Sequence, residues 1–303
     1  MMRTWTATLS LVCGAMALST LTACSGGAVD PPGSKGGVAS TGASIGASDV
    51  PATSAPPTTV DIRSLDLANT TWLYSLGGLE DPLEVTLADG KATIEAGEFP
   101  ITHELDEVIY GDVDGDGDED AVTRLNWAQS MGSEGLWYVW VADGVEARQV
   151  KYPLARTSRC GTAVLTPVVA QGAINLTEYE RVPGLDDAIP CSEPGTRMRT
   201  RTVTIASEGT ELWPVQTLPA PAWGGLCPDA KYNETTPGVG DLWAAPSKNS
   251  PVTATTSPDG GAVFELKDAP LLQREGWNPV GVKLAGMAGA DGVTQLECAW
   301  AVG

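Results

Sequence analysis

Histidine is almost absent: His103 is the single one in 303 residues. With a single histidine, a nucleophilic Ser–His–acid triad is not expected. Cys-x-x-Cys spacing is also missing, which argues against a zinc site and against thioredoxin-like chemistry. Bases are scarce, 18 Lys and Arg against 38 Asp and Glu, for a formal net charge of −20. Between Asp61 and Asp120 the only bases are Arg63 and Lys91. A field of that sign repels nucleic acid and anionic headgroups, so neither is expected as a partner, and it attracts cations. No long stretch repeats apolar residues every three or four positions. Tryptophan (10) outnumbers phenylalanine (2), and Gly and Pro are plentiful, a pattern of strands and turns rather than helices.

What is present begins with an export signal. Met1-Met2-Arg3-Thr4 is a short positive segment, and Trp5 to Thr22 is apolar but too short for a stable membrane span. The run ends in Leu21-Thr22-Ala23-Cys24, followed by Ser25-Gly26-Gly27. This resembles the lipobox of bacterial lipoproteins, in which Leu, a small residue and Ala or Gly precede the cysteine that is modified. An ordinary secretory signal would need a small residue where Leu21 stands. The resemblance implies a signal peptide over 1–23, cleavage before Cys24, and a diacylglyceryl group on that thiol. Two chains make the attachment lasting, so the expected location is the outer face of the cell membrane, lipid-anchored. Residues 24–60 are rich in Gly, Ser, Ala, Thr and Pro, and read as a flexible, disordered tether.

From Asp61 onward short apolar runs alternate with turn signals. Ala88-Asp89-Gly90, Ala142-Asp143-Gly144 and Ala290-Asp291-Gly292 each separate strand-like runs, as do Gln171-Gly172 and Ser207-Glu208-Gly209. The expected fold is all-β: hairpin-rich antiparallel sheets in a sandwich or partly open barrel. Pro219-Ala220-Pro221 suggests a main domain over 61–220. Residues 221–303 would then be a smaller Pro/Gly-rich β unit, or an extension packed on the first sheet. Cys160, Cys191, Cys227 and Cys298 are expected to form two disulfides in an exported chain. Of the three possible pairings we prefer Cys160–Cys191 with Cys227–Cys298, because each then brackets one strand-rich segment. Each bridge would contribute roughly 4 kcal/mol on the loop-entropy model.

The densest chemistry lies in Gly111-Asp112-Val113-Asp114-Gly115-Asp116-Gly117-Asp118-Glu119-Asp120. Calcium takes several hard oxygen ligands, and carboxylates on alternate residues converge on it where Gly turns the chain sharply. Asp112, Asp114 and Asp116 supply the alternation, and Gly117 the turn. The Asp118 carbonyl and the Asp120 carboxylate complete the shell. The twelfth position of an EF-hand loop would be Thr123 rather than Glu, and the flanks look like strands. The fifteen or so residues resemble instead the calcium loops of FG-GAP/VCBS-type repeats, and a Gly-Asp-rich hairpin of many secreted actinobacterial proteins. Those families repeat the motif around a propeller, whereas here it occurs once. A structural calcium is therefore the expected cofactor.

Arg197, Arg199 and Arg201 share one strand face. Such a row can bind an anion, but acidic neighbours or water are the preferred partners. Trp137 and Val139 share one face of a strand, Tyr138 and Trp140 the other, a pattern that core packing on two sides explains. His103 reads as a partly exposed strand or loop residue. The function expected from all this is non-enzymatic: an anchored, calcium-stabilised envelope lipoprotein that binds an envelope protein or glycan, or has a structural role. The alternatives are a surface hydrolase using paired carboxylates, or a carbohydrate-binding module.

Overall fold

The computed structural model describes residues 59–235, 240–256, 263–288 and 294–303. The lipobox, Cys24 and the tether up to residue 58 lie outside the described residues, as does the Ala290-Asp291-Gly292 turn. Sheet follows sheet along the chain, and every ladder is antiparallel. The first sheet pairs β1 (Thr71–Tyr74) with β2 (Leu83–Thr86). The second holds β3 (Lys91–Ile94), β4 (Ile101–Gly111), β5 (Asp120–Gln129), β6 (Gly132–Asp143), β7 (Glu146–Gln149) and β8 (Ala155–Ser158). It is a meander through β7, and β7 and β8 divide the free edge of β6 between them.

The third sheet mirrors that plan. It holds β9 (Ala163–Val164), β10 (Val168–Val169), β11 (Ile174–Glu180), β12 (Arg197–Glu208), β13 (Glu211–Leu218) and β14 (Ala222–Trp223). Here β9 and β10 divide the edge of β11. The fourth holds β15 (Ala230–Thr235), β16 (Gly240–Trp243), β17 (Val252–Thr256), β18 (Val263–Leu266), β19 (Trp277–Ala288) and β20 (Thr294–Val302). Its order, β15-β18-β19-β20-β16-β17, sets the β16–β17 hairpin against β20 through the Trp243–Trp300 pair. The expected all-β, hairpin-rich antiparallel class is therefore what the chain adopts.

Local chemistry accounts for most turns. Gln171 and Gly172 both have positive φ, 57° and 71°, the signature of the tight primed hairpin between β10 and β11. Gly144 (φ 61°) and Gly209 (φ 62°) serve the β6–β7 and β12–β13 hairpins. One expected hairpin does not continue. Asp89 and Gly90 make a left-handed turn, and Ala88 bridges to Lys91, but β2 then pairs with β1 and β3 with β4. The strand-like run before the Gln171-Gly172 turn is divided into β9 and β10 at Pro167, which has no N–H to offer a ladder. The Pro219–Pro221 segment is a tight turn, after which β14 pairs back onto β13.

β6 is the spine of the core. Residues 136–142 are all buried and alternate between two interiors. Trp137, Val139 and Val141 face a large core with Val203 and Trp213 of the third sheet and Trp300 of the fourth. Tyr138, Trp140 and Ala142 face a second core with Trp72, Tyr74, Val85 and Ile62. Sheet-on-sheet packing of this kind stabilises the fold by roughly 1.5–3 kcal/mol for each large apolar side chain fully buried. Trp223 of β14 stands edge-on to Trp300, 5.4 Å between ring centres, so residues beyond 221 share the larger core. Two disulfides are present, Cys160–Cys191 and Cys227–Cys298, the preferred pairing.

Candidate metal centre and the charged interior

The acidic loop joins β4 to β5 and turns on two glycines with positive φ, Gly115 (86°) and Gly117 (95°). Each of the first three aspartates folds back on the backbone. Asp112 accepts from the Gly115 N–H at 2.6 Å, Asp114 from Asp116 at 3.2 Å, and Asp116 from Asp118 at 2.8 Å. These local bonds turn the carboxylates inward, as short Asp side chains in turns do. One ligand oxygen from each of Asp112, Asp114 and Asp116 then lies within 4.8 Å of the others. Burial, followed by the neighbouring carboxylates, pushes Asp114 above the usual carboxylate range despite the Asp116 N–H. A divalent cation would relieve that repulsion, and three carboxylates on a Gly-hinged turn suit calcium.

Asp118 is half-buried and Asp120 fully buried, and neither belongs to the close three-carboxylate group. The Asp120 carboxylate sits at the start of β5 with both oxygens engaged. One accepts the Val113 N–H and the other the Ala142 N–H, each at 2.9 Å. Burial pushes this carboxyl up to about 7 against the pull of those two donors. Asp120 therefore ties the loop to β6.

The loop is also held to the third sheet. The Val113 carbonyl accepts from the Ile205 N–H (3.4 Å) and from the Thr204 hydroxyl (3.0 Å). The close approach is possible because residue 172 is glycine: a Cβ there would come within 3.0 Å of the Gly115 backbone. A cation in this loop would accordingly stiffen a junction between two sheets.

The other singled-out residues are equally well placed. The arginine row on β12 meets acidic neighbours, the preferred reading. Arg201 is buried and pairs in two-pronged fashion with Glu178 (3.0 and 3.1 Å), while Arg199 pairs with Glu297 at 2.6 Å. Arg197 stands 3.8 Å from Glu180. Glu178 and Glu180 alternate along β11 with the same two-residue period as the arginines, so the sequence itself carries a signal for this pairing. Glu297 was missed because it stands in an apolar strand next to Cys298. Trp137 and Trp140 are buried in the two cores and offer no exposed ring for a sugar.

His103 is buried, 3% exposed, rather than partly exposed as expected. Its ring lies edge-on to Tyr74, 4.6 Å between centres, and Nδ1 has no hydrogen-bond partner. Burial lowers its pKa from the ordinary 6.5. The neutral form is favoured in the fold, so His103 adds stability above the unfolded pKa that is lost as pH falls toward the folded value. Urea unfolding at about pH 7.5 and pH 5.5 should show wild type losing stability relative to His103→Phe on acidification. Equal losses in both would remove His103 as the cause.

Among the described residues, no helix is long and apolar enough to cross a membrane. Comparison with protein-family models, with curated proteins and with solved structures finds no match.

Proposed function

We propose that this chain is a cell-envelope lipoprotein of non-enzymatic binding or structural role, anchored through Cys24 to the outer face of the membrane. The observation that carries the anchor is Leu21-Thr22-Ala23-Cys24 at the end of the apolar run, with Leu where an ordinary signal needs a small residue. Mass spectrometry of the membrane fraction is expected to find a diacylglyceryl-modified N-terminal cysteine. Cys24→Ala should shift the protein out of that fraction. A soluble, unmodified mature chain in wild type would defeat the proposal.

Calcium in the Asp112–Asp120 loop is the second element. Support comes from the three converging carboxylates and from the attachment of the same loop to β6 and β12. Extracellular calcium sites typically bind at about 10⁻⁴–10⁻³ M. At about 10 mM calcium, tenfold to a hundredfold above that, folding should gain about 1.4–2.7 kcal/mol. Thermal unfolding with calcium against chelator measures the gain, and Asp112→Asn/Asp114→Asn/Asp116→Asn should abolish it. Equal melting with and without calcium in wild type would reject the site.

A further inference from the structure

A cavity of about 520 Å³ opens where the second, third and fourth sheets meet, within the size range of small-molecule sites. Four guanidinium groups and four carboxylates line it, so it has no net formal charge and no preference for a simple ion of either sign. Most of these charges are already committed. Arg201 gives its donors to Glu178 and to the carbonyls of Leu154 and Gly224. Arg181 spends both terminal nitrogens on the carbonyls of Asp186, Ile189, Pro190 and Glu193. Arg199 holds Glu297 Oε2 at 2.6 Å and stands 3.7 Å from Glu180. Asp229 takes Lys267 at 3.1 Å.

Two groups in the wall keep hydrogen-bonding capacity unused, and they have opposite sign, although Glu297 already takes Arg199 and the Gln216 amide on Oε2. Arg156 on β8 makes one hydrogen bond, from Nη1 to the Gly77 carbonyl (2.7 Å), and no ion pair among the described residues. Glu297 on β20 is 1% exposed, and its Oε1 has no hydrogen-bond partner. A buried carboxylate oxygen left without a donor costs free energy that a bound donor would recover. Trp223 and Leu226 add apolar surface to the same wall.

We propose that this cavity binds a small zwitterion with an apolar side chain, an amino acid or short peptide, its amine held by Glu297 and its carboxylate by Arg156. The open Glu297 oxygen and the Arg156 guanidinium select the two charged ends, the neutral sum disfavours a ligand with only one, and Trp223 and Leu226 take the side chain. The site goes beyond the anchored, calcium-stabilised reading and is independent of it, since neither lipid nor calcium enters the argument. Failure of one leaves the other standing.

Titration calorimetry on the whole mature protein at pH 7 tests this with L-leucine and L-leucylglycine. Isoamylamine and isovalerate serve as the single-charge controls. The zwitterions are expected to bind with Kd of about 1 mM or tighter, and each control at least about tenfold more weakly, the worth of one charged contact. Arg156→Gln should weaken the zwitterions and isovalerate about tenfold and leave isoamylamine unchanged; Glu297→Gln should weaken the zwitterions and isoamylamine and leave isovalerate unchanged. Glu297→Gln also takes a charged partner from Arg199, so its melting temperature is measured alongside. Should it fail to fold, the half-exposed Arg156→Gln decides the matter. Water alone in the cavity, seen as no heat from either zwitterion at about 10 mM, overturns the proposal. So does equal binding of the controls and the zwitterions, or unchanged zwitterion binding in Arg156→Gln.

Discussion

Replacing Arg201 with alanine is expected to destabilise the fold by about 3–5 kcal/mol, because Glu178 would be left buried without its partner. The side chains of this pair are 3% and 6% exposed, too little for water to replace the guanidinium. Burial works to raise the Glu178 pKa, but the Arg201 charge, its hydrogen bonds and then Arg199 outweigh it and hold the carboxyl low. A carboxylate with a depressed pKa contributes stability above its unfolded pKa that is lost as pH falls through the folded value. The cost of Arg201→Ala should therefore be largest near neutral pH and shrink in acid, where Glu178 is protonated in the variant. Glu178→Leu/Arg201→Met should recover most of the loss, since an apolar pair of similar volume needs no compensating charge. Recovery should stop short of wild type, because the carbonyls of Leu154 and Gly224 also lose their donor. Urea unfolding of the two single variants and the double closes the cycle. A loss below about 1 kcal/mol for Arg201→Ala would show the pair to be no better than a surface one.

That pair was half legible in the sequence. The two-residue period puts Arg197, Arg199 and Arg201 on one face and Glu178 and Glu180 on another, but only the register of β11 on β12 brings the two rows together. Local signals fared best where one turn decides one pairing, as at Asp143-Gly144 and Gln171-Gly172. They fared worst where a turn is correct but its strands are claimed elsewhere. Asp89-Gly90 has the left-handed geometry that the sequence demands, yet each flank pairs elsewhere, with β1 on one side and β4 on the other. The insertion of β16–β17 beside β20 has no local signature at all, because it rests on backbone pairing between residues more than fifty positions apart. β6 was readable for the opposite reason. Its unbroken apolar run from Leu136 to Ala142 requires burial on both faces, and both cores are present.

The acidic loop divides in the same way, and Asp120 is where the division has the largest consequence. Motif spacing assigns it to the cation, alongside Asp112, Asp114 and Asp116. Its side chain shares a strand face with Val122 and is fully buried between the N–H groups of Val113 and Ala142. Asp120→Ala should therefore cost about 3–5 kcal/mol even without calcium, from two charge-assisted hydrogen bonds lost and two buried donors left unmet. Asp120→Asn keeps one acceptor but sets an NH₂ against the second donor, so about half of that cost is expected to remain. Val113 links the two sides of the junction, since its N–H binds Asp120 while its carbonyl takes Ile205 and the Thr204 hydroxyl. Thr204→Val should consequently weaken calcium stabilisation without touching any carboxylate, whereas a purely local cation site would not register the change. Urea unfolding of Asp120→Ala in chelator within about 1 kcal/mol of wild type would leave Asp120 no structural part in the fold and return it to the ligand shell.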